Sequence, residues 1–151
     1  MPTRKHVHEE FLPADANLVF AILHKSSAIR AWWGAARAVV LAREGGVWAA
    51  AWGDKEGDPD YITVARIDVF DPPRRLMLTN FQYHAKSGPL PFQAQITTEF
   101  TVEARPNGAL LRVVQDGFPV DPIADAFYTG CEVGWTNTFA GIRRFLGVAS
   151  A

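Results

Sequence analysis

Two histidines, His6 and His8, stand two residues apart near the start of the chain. On a strand that spacing puts both side chains on one face, where a pair can chelate a metal. A catalytic zinc usually takes three protein ligands, and no nearby Cys or third His completes the set, so a solvated strand end and no metal are expected. Cys131, the single cysteine, falls on an apolar helical stripe, where a free thiol behaves as a small buried hydrophobe. A nucleophile would need a base beside it, and no histidine is placed for that role. His24 and His84 are scattered and expected to be exposed. The acid or base candidates are Glu9, Tyr128 and Glu132, with exposure the default for both glutamates because burying an unpaired carboxylate is costly. Gln115 is a polar group that could orient a ligand. No GxSxG, P-loop or GxGxxG occurs, which removes the common hydrolase, nucleotide and dinucleotide readings.

Aromatic supply is the stronger signal. Trp32 and Trp33 are adjacent, and Trp48 and Trp52 share one face of a strand by alternation. Together with Tyr61, Phe81, Tyr83, Phe92, Phe118, Tyr128 and Trp135 they suit the wall of an apolar small-molecule cavity, with a closed core as the alternative. Adjacent helical residues diverge by roughly 100°, so one of Trp32 and Trp33 is expected at the cavity mouth and the other packed on the sheet, and spacing alone does not decide which is which.

These residues must be positioned by secondary structure that the pattern supplies. Residues 5–11 alternate, with Val7 and Phe11 on one apolar face, and predict a first strand. Asp15 caps a short helix to about residue 24, and Ser26 or Ser27 caps a second that ends at Gly34. Strands follow at 36–43, 47–53, 61–70, 75–81, 92–104 and 109–116, punctuated by Gly45-Gly46, the Asp71-Pro72-Pro73 turn, a Gly/Pro-rich loop at 84–91 and the hairpin signal Asn107-Gly108. Then Tyr128, Cys131, Trp135, Phe139, Ile142 and Phe145 recur at three- and four-residue spacing and predict one long helix. The fold class is α+β: a curved seven-stranded antiparallel sheet around a long C-terminal helix, with two short helices between strands 1 and 2.

At 151 residues the chain fits a single domain over 1–151, and 48% hydrophobic residues are enough for a core. A net charge of −1 gives no footprint for nucleic acid, and no apolar run is long enough to span a membrane. The start, MPTRKHVHEE, lacks the apolar segment of a secretory leader, so a cytoplasmic location is expected.

The order and spacing of several motifs resemble the START-like, or SRPBCC, superfamily of Bet v 1-like helix-grip proteins, and within it the branch named for homology to the activator of the heat-shock chaperone ATPase. The motifs are Val19-Phe20, Trp32-Trp33-Gly34, Gly45-Gly46, Asp71-Pro72-Pro73-Arg74-Arg75-Leu76, Asn107-Gly108, Gln115-Asp116-Gly117-Phe118 and Gly134-Trp135. The resemblance implies a central cavity for apolar molecules, with a minority of members acting as cyclases or dehydratases. The chaperone-activator role goes with longer chains and is not expected here. The expected partner is a small apolar or aromatic ligand held by residues among Trp33, Trp48, Trp52, Tyr61, Phe81, Phe92, Gln115, Phe118, Tyr128, Cys131, Glu132 and Trp135, with no cofactor. An enzyme using Glu9, Glu132 or Tyr128, and an interaction module or homodimer built on the tryptophan pair, are the alternatives.

Overall fold

The structure, a computed structural model, describes residues 2–147; residues 1 and 148–151 of the expected domain lie outside the described residues. Strand β1 (Thr3–Leu12) is followed by helices α1 (Ala16–Ala21) and α2 (Ser26–Trp33). Six strands come next: β2 (Arg37–Val40), β3 (Val47–Trp52), β4 (Tyr61–Asp71), β5 (Arg75–Ala85), β6 (Thr97–Arg105) and β7 (Gly108–Pro119). A 3-10 turn at Pro122–Ala124 leads into α3 (Asp125–Leu146). All pairings are antiparallel and the sheet order is β1-β7-β6-β5-β4-β3-β2, so the first strand closes onto the last. This is the expected helix-grip arrangement.

Local chemistry explains most of the boundaries. The Asp15 carboxylate accepts from the Asn17 N–H at 2.8 Å and starts α1, as expected. Helix α2 departs from expectation: its N-cap is Lys25, which makes no side-chain cap bond, and Ser26 already lies inside the helix. Gly34 then ends α2 at φ 72°, a left-handed conformation that glycine adopts without a Cβ penalty. The strand expected from residue 92 begins only at Thr97, and the segment before it packs its Gln95 carbonyl across Gly117 of β7.

Bulges decide which side chains face the helices. Residues directly opposite in an antiparallel pair share a face, and Leu76 and Leu78 of β5 are buried under the helices. Simple alternation would therefore turn Asn80, Gln82 and His84 inward. Instead the β4–β5 register slips between Val64 and Arg66, and Asn80 takes φ 52°. The extra residue reverses the parity, so Phe81 and Tyr83 join the helix-facing side. A second irregularity, between Arg4 and Lys5 opposite Gly117 (φ 100°), does the same for Phe118. A side chain at Gly117 would collide with the Gln95 carbonyl, so the loop before β6 crosses the strand there.

Strand β1 corrects the sequence expectation. Its apolar pair points outward, with Val7 44% and Phe11 42% exposed, while His6, opposite Gln115, faces α3 at 4%. Polar side chains tie this edge strand to the helix. Arg4 pairs with Asp125 at 2.5 Å, Glu10 with Arg143 at 2.9 Å, and the His6 ring stacks on Tyr128 with centroids 3.8 Å apart. A carbonyl can only accept, so the 2.7 Å contact from His6 Nε2 to the Tyr128 carbonyl fixes that nitrogen as the donor.

At its other end α3 is clamped by α2. A Cβ at Gly141 would meet the Trp32 carbonyl oxygen, so only glycine allows the two backbones this approach. Trp135, Thr138, Phe139 and Ile142 are buried in this half, whereas Phe145, expected on the same stripe, is exposed past the edge of the contact. The core beneath α1 and α2 gathers Leu12, Val19, Phe20, Ile29, Ile67, Leu76 and Leu111.

Gly141→Ala is expected to lower stability by about 1–3 kcal/mol through overpacking. Gly134→Ala, on an exposed turn of the same helix with open space around its Cβ position, is expected to raise it by about 0.5–1 kcal/mol. Urea denaturation of both variants is the check, and equal effects would contradict the clamp.

His8 and His24 generate a pH dependence. Burial pushes both below the usual histidine value, reinforced by His6 for His8 and by Lys25 for His24; Glu132 and a backbone hydrogen bond oppose the shifts. His8 Nε2 is buried with no hydrogen-bond partner among the described residues, so a proton there would be unmatched. His24, expected to be exposed, instead packs its ring against Phe20 and Phe70. With folded values depressed below about 6.5, the unfolded chain binds more protons beneath that pH. Stability is therefore full above it and falls as the pH drops. A melting temperature lower at pH 5.5 than at pH 7.5, a window above the carboxylate range, is expected; an unchanged or higher one would contradict the assignment.

Candidate functional site

Four of the five tryptophans gather at one end of the sheet, and their indole N–H groups account for the arrangement. Trp32 Nε1 donates to the Ile22 carbonyl at 2.9 Å, Trp48 Nε1 to Leu23 at 3.1 Å and Trp52 Nε1 to Trp33 at 3.3 Å. These carbonyls lie at or just past the ends of α1 and α2, where backbone acceptors lack intrahelical partners. The indoles thus fasten both short helices to β3. Trp32 and Trp48 are buried in the core. Trp33, stacked on Trp32 at 5.3 Å and edge-on to Trp52 at 5.0 Å, keeps part of its surface, as does Trp52. Although adjacent side chains leave the helix in different directions, the two rings of the pair end up stacked.

From Trp52 an aromatic wall runs across the helix-facing side of the sheet. Trp52 lies opposite Tyr61, and Thr63 opposite Tyr83, which puts both tyrosines on that face. Tyr83 stacks on Tyr61 at 6.3 Å and meets Phe127 of α3 edge-on at 6.0 Å. Phe127 also touches Phe92 at 5.6 Å and Phe118 at 6.0 Å. The close backbone neighbours of α3 are α2 and β1 rather than the central strands, so side chains must span the distance between helix and sheet. They do not close it at the Tyr61 end. Tyr61 is 47% and Tyr83 37% exposed, and the first half of α3 keeps most of its surface in solvent. The strip of sheet under the first half of α3, the candidate groove, is thus left uncovered at Tyr61 and Tyr83, with the fully buried Phe118 beneath Phe127.

Deeper in, Trp135 packs edge-on against Phe100 at 5.8 Å and donates its indole N–H to Gln115 Oε1 at 2.8 Å. Gln115 Nε2 donates in turn to Thr98 Oγ1 at 3.4 Å. Thr98, Gln115 and His6 lie side by side on adjacent strands as the polar row of the groove floor.

The ionisable groups near the wall stay protonated at neutral pH. Burial pushes the Cys131 thiol up to about 11. Tyr83 is raised by burial first, then by Tyr61 and Cys131, which also places these three groups near one another. Glu132, by contrast, lies on the β1 side of α3 with its Oε2 3.5 Å from His6 Nδ1, and it is exposed. Tyr128 sits on the same side, its hydroxyl donating to the Lys5 carbonyl at 2.9 Å and its ring under the Arg4 guanidinium. Glu9 faces the outer surface near Arg112 at 3.8 Å. No group of three or more His, Cys, Asp or Glu that could hold a metal occurs among the described residues.

Of the twelve residues assigned to a ligand, the structure brings Trp52, Tyr61, Phe81, Phe92, Phe118, Cys131, Gln115 and Trp135 to the groove or its floor, with Trp33 at the Trp52 end. Trp48 is enclosed behind them, and Tyr128 and Glu132 flank β1. Two groove residues were missed. Phe127 lies four residues before Cys131 and eight before Trp135, a helical signal that was legible. Thr98 became visible only once the register of β6 was known.

Comparison with other proteins agrees with this architecture. A solved protein from Mesorhizobium loti, MLL2253, is 20% identical and superposes with a TM-score of 0.77, covering 98% of this chain and 100% of its own. NE0264 from Nitrosomonas europaea is 16% identical at a TM-score of 0.74, over 95% of this chain and 94% of that one. CalU16 from Micromonospora echinospora is 16% identical at a TM-score of 0.64, over 96% and 86%. At these identities the likeness shows the fold. No curated protein matches the chain. The family model described as Activator of Hsp90 ATPase homolog 1-like protein matches residues 13–147, nearly the whole of the described fold, and the chain therefore belongs to that family of START-like helix-grip proteins.

Proposed function

We propose that the protein binds a small, uncharged aromatic molecule in the groove between the first half of α3 and the sheet. The observation that carries this reading is the pair Tyr61 and Tyr83, half exposed on the helix-facing side of the sheet at the mouth of an aromatic wall. Exposed apolar surface of this kind is costly unless something covers it, and rings aligned for stacking suit an aromatic guest. Affinity would come from buried apolar area.

Carriage or sensing fits the chemistry better than turnover. Cys131 and Tyr83 both hold their protons at neutral pH, and the carboxylates weighed as acids or bases, Glu9 and Glu132, lie off the groove. The tryptophan pair, considered as a dimer contact, has Trp32 buried and offers little surface to a second copy. No helix is long and apolar enough to cross a membrane among the described residues.

Titration with a planar hydrocarbon such as fluorene, followed by tryptophan fluorescence, should give saturable binding. Tyr83→Ala should weaken it about five- to tenfold through the lost ring contact while changing stability by less than about 1 kcal/mol. No saturable binding, or an unchanged affinity in the variant, would overturn the reading, and a concentration-dependent dimer without binding would favour an interaction module.

A further inference from the structure

The two edges of the sheet, β1 and β2, are finished differently. Along β1 the side chains of α3 reach over the strand, Tyr128 donating to the Lys5 carbonyl at 2.9 Å and Arg143 to the Phe11 carbonyl at 3.2 Å. On β2 no side chain does this among the described residues. The Leu41 N–H donates to the Val47 carbonyl at 2.8 Å, and Val39 and Arg37 follow opposite Ala49 and Ala51, so the odd-numbered residues spend their backbone groups on β3. These groups alternate along an antiparallel strand, so Ala38, Val40 and Ala42 turn theirs away from the sheet. They find no backbone partner there among the described residues. Such an edge accepts another strand unless charge, proline or a covering element prevents it.

The side chains describe the strand that would fit. The run Arg37-Ala38-Val39-Val40-Leu41-Ala42-Arg43 sets an arginine at each end of five apolar residues. Val39 and Leu41 are 62% and 44% exposed on the outer face of the sheet, and Val39 continues across β3 and β4 through Ala49 and Val64. Helix α2 approaches from the inner face, where Trp33 meets Trp48 and Trp52. Arg37 and Arg43 are exposed and make no ion pair among the described residues, and Glu44, next along the chain, pairs with neither. A second copy of β2 suits this edge poorly. Antiparallel pairing about Val40 sets Arg37 against Arg43 of the second copy at both ends, and parallel pairing sets each arginine beside its own counterpart; like charges placed so are destabilising.

We propose that β2 is a docking edge for an extended segment of another protein, one that adds a strand to the sheet and carries acidic residues at both ends of a short apolar run. Backbone bonds to Ala38 and Val40 hold the segment, its apolar side chains pack on Val39 and Leu41, and its carboxylates meet Arg37 and Arg43. This surface lies at the sheet edge and on its outer face, so the proposal stands apart from the groove.

Two capped, fluorescein-labelled heptapeptides test it by fluorescence anisotropy: Glu-Thr-Val-Thr-Val-Thr-Glu, and the same peptide with lysine at both ends. The acidic peptide should bind about tenfold tighter, the effect of two cross-strand charge pairs, and should slow hydrogen exchange at the Ala38 and Val40 amides. In the double variant Arg37→Glu with Arg43→Glu, both at exposed positions, the preference should invert. Val40→Pro removes an edge N–H and no ladder bond, and should weaken the acidic peptide about tenfold. Binding of neither peptide, equal affinity for both, or unchanged affinity in Val40→Pro would overturn the proposal. So would a concentration-dependent dimer that Val40→Pro abolishes, since the second copy would then be the occupant. If Val40→Pro does not fold, the inversion in the double variant decides.

Discussion

Helix α3 is held close at one end and at a distance at the other, and the rest of the molecule follows from that asymmetry. At Gly141 the missing side chain lets the Trp32 carbonyl rest against the helix backbone, so α2 and α3 meet there without intervening side chains. Twenty-two residues of helix extend some 33 Å at 1.5 Å per residue. Fixing one half against α2 leaves the first half to cross the sheet with only β1 and the Pro122–Ala124 turn for close backbone support. Whatever fills the space under that half must be side chain or guest.

The tryptophans belong to the clamp as much as to the groove. Three indole N–H groups meet carbonyls at the ends of α1 and α2, so the two short helices are fastened to β3 by directional bonds as well as by apolar area. This gives the fold a stiff end, where Trp32 and Trp48 are enclosed, and an open end, where Tyr61 and Tyr83 meet solvent. In the ion pairs along β1 and α3 only Asp125 and Glu132 are more than half exposed, and both partners of the Glu10–Arg143 pair are largely enclosed. Their effect is to hold the helix in register over the edge strand.

Element types and order were legible in the sequence because proline, glycine and helical periodicity act locally. The long helix, the Asp15 cap, the Gly34 stop and the hairpin at Asn107 all follow from residues within a turn of the feature. The faces of strands were not legible to the same degree. Val7 and Phe11 alternate correctly but point outward, since the burial of His6 depends on α3, more than a hundred residues away. Phe81, Tyr83 and Phe118 reach the groove because of irregularities at Asn80 and Gly117, and one extra residue in a strand reverses every side chain beyond it. The site was therefore visible as composition, a surplus of aromatic rings, before it was visible as geometry.

Hydrogen exchange along α3 tests the asymmetry most directly, because protection reports how each turn is held. Amides 135–142, packed on α2 and the sheet, should exchange slowly in the free protein, and amides 129–134 should exchange faster and then slow when fluorene is added. Uniform protection along the whole helix, unchanged by the aromatic probe, would mean that the first half is as firmly packed as the second and that there is no groove for a guest to occupy.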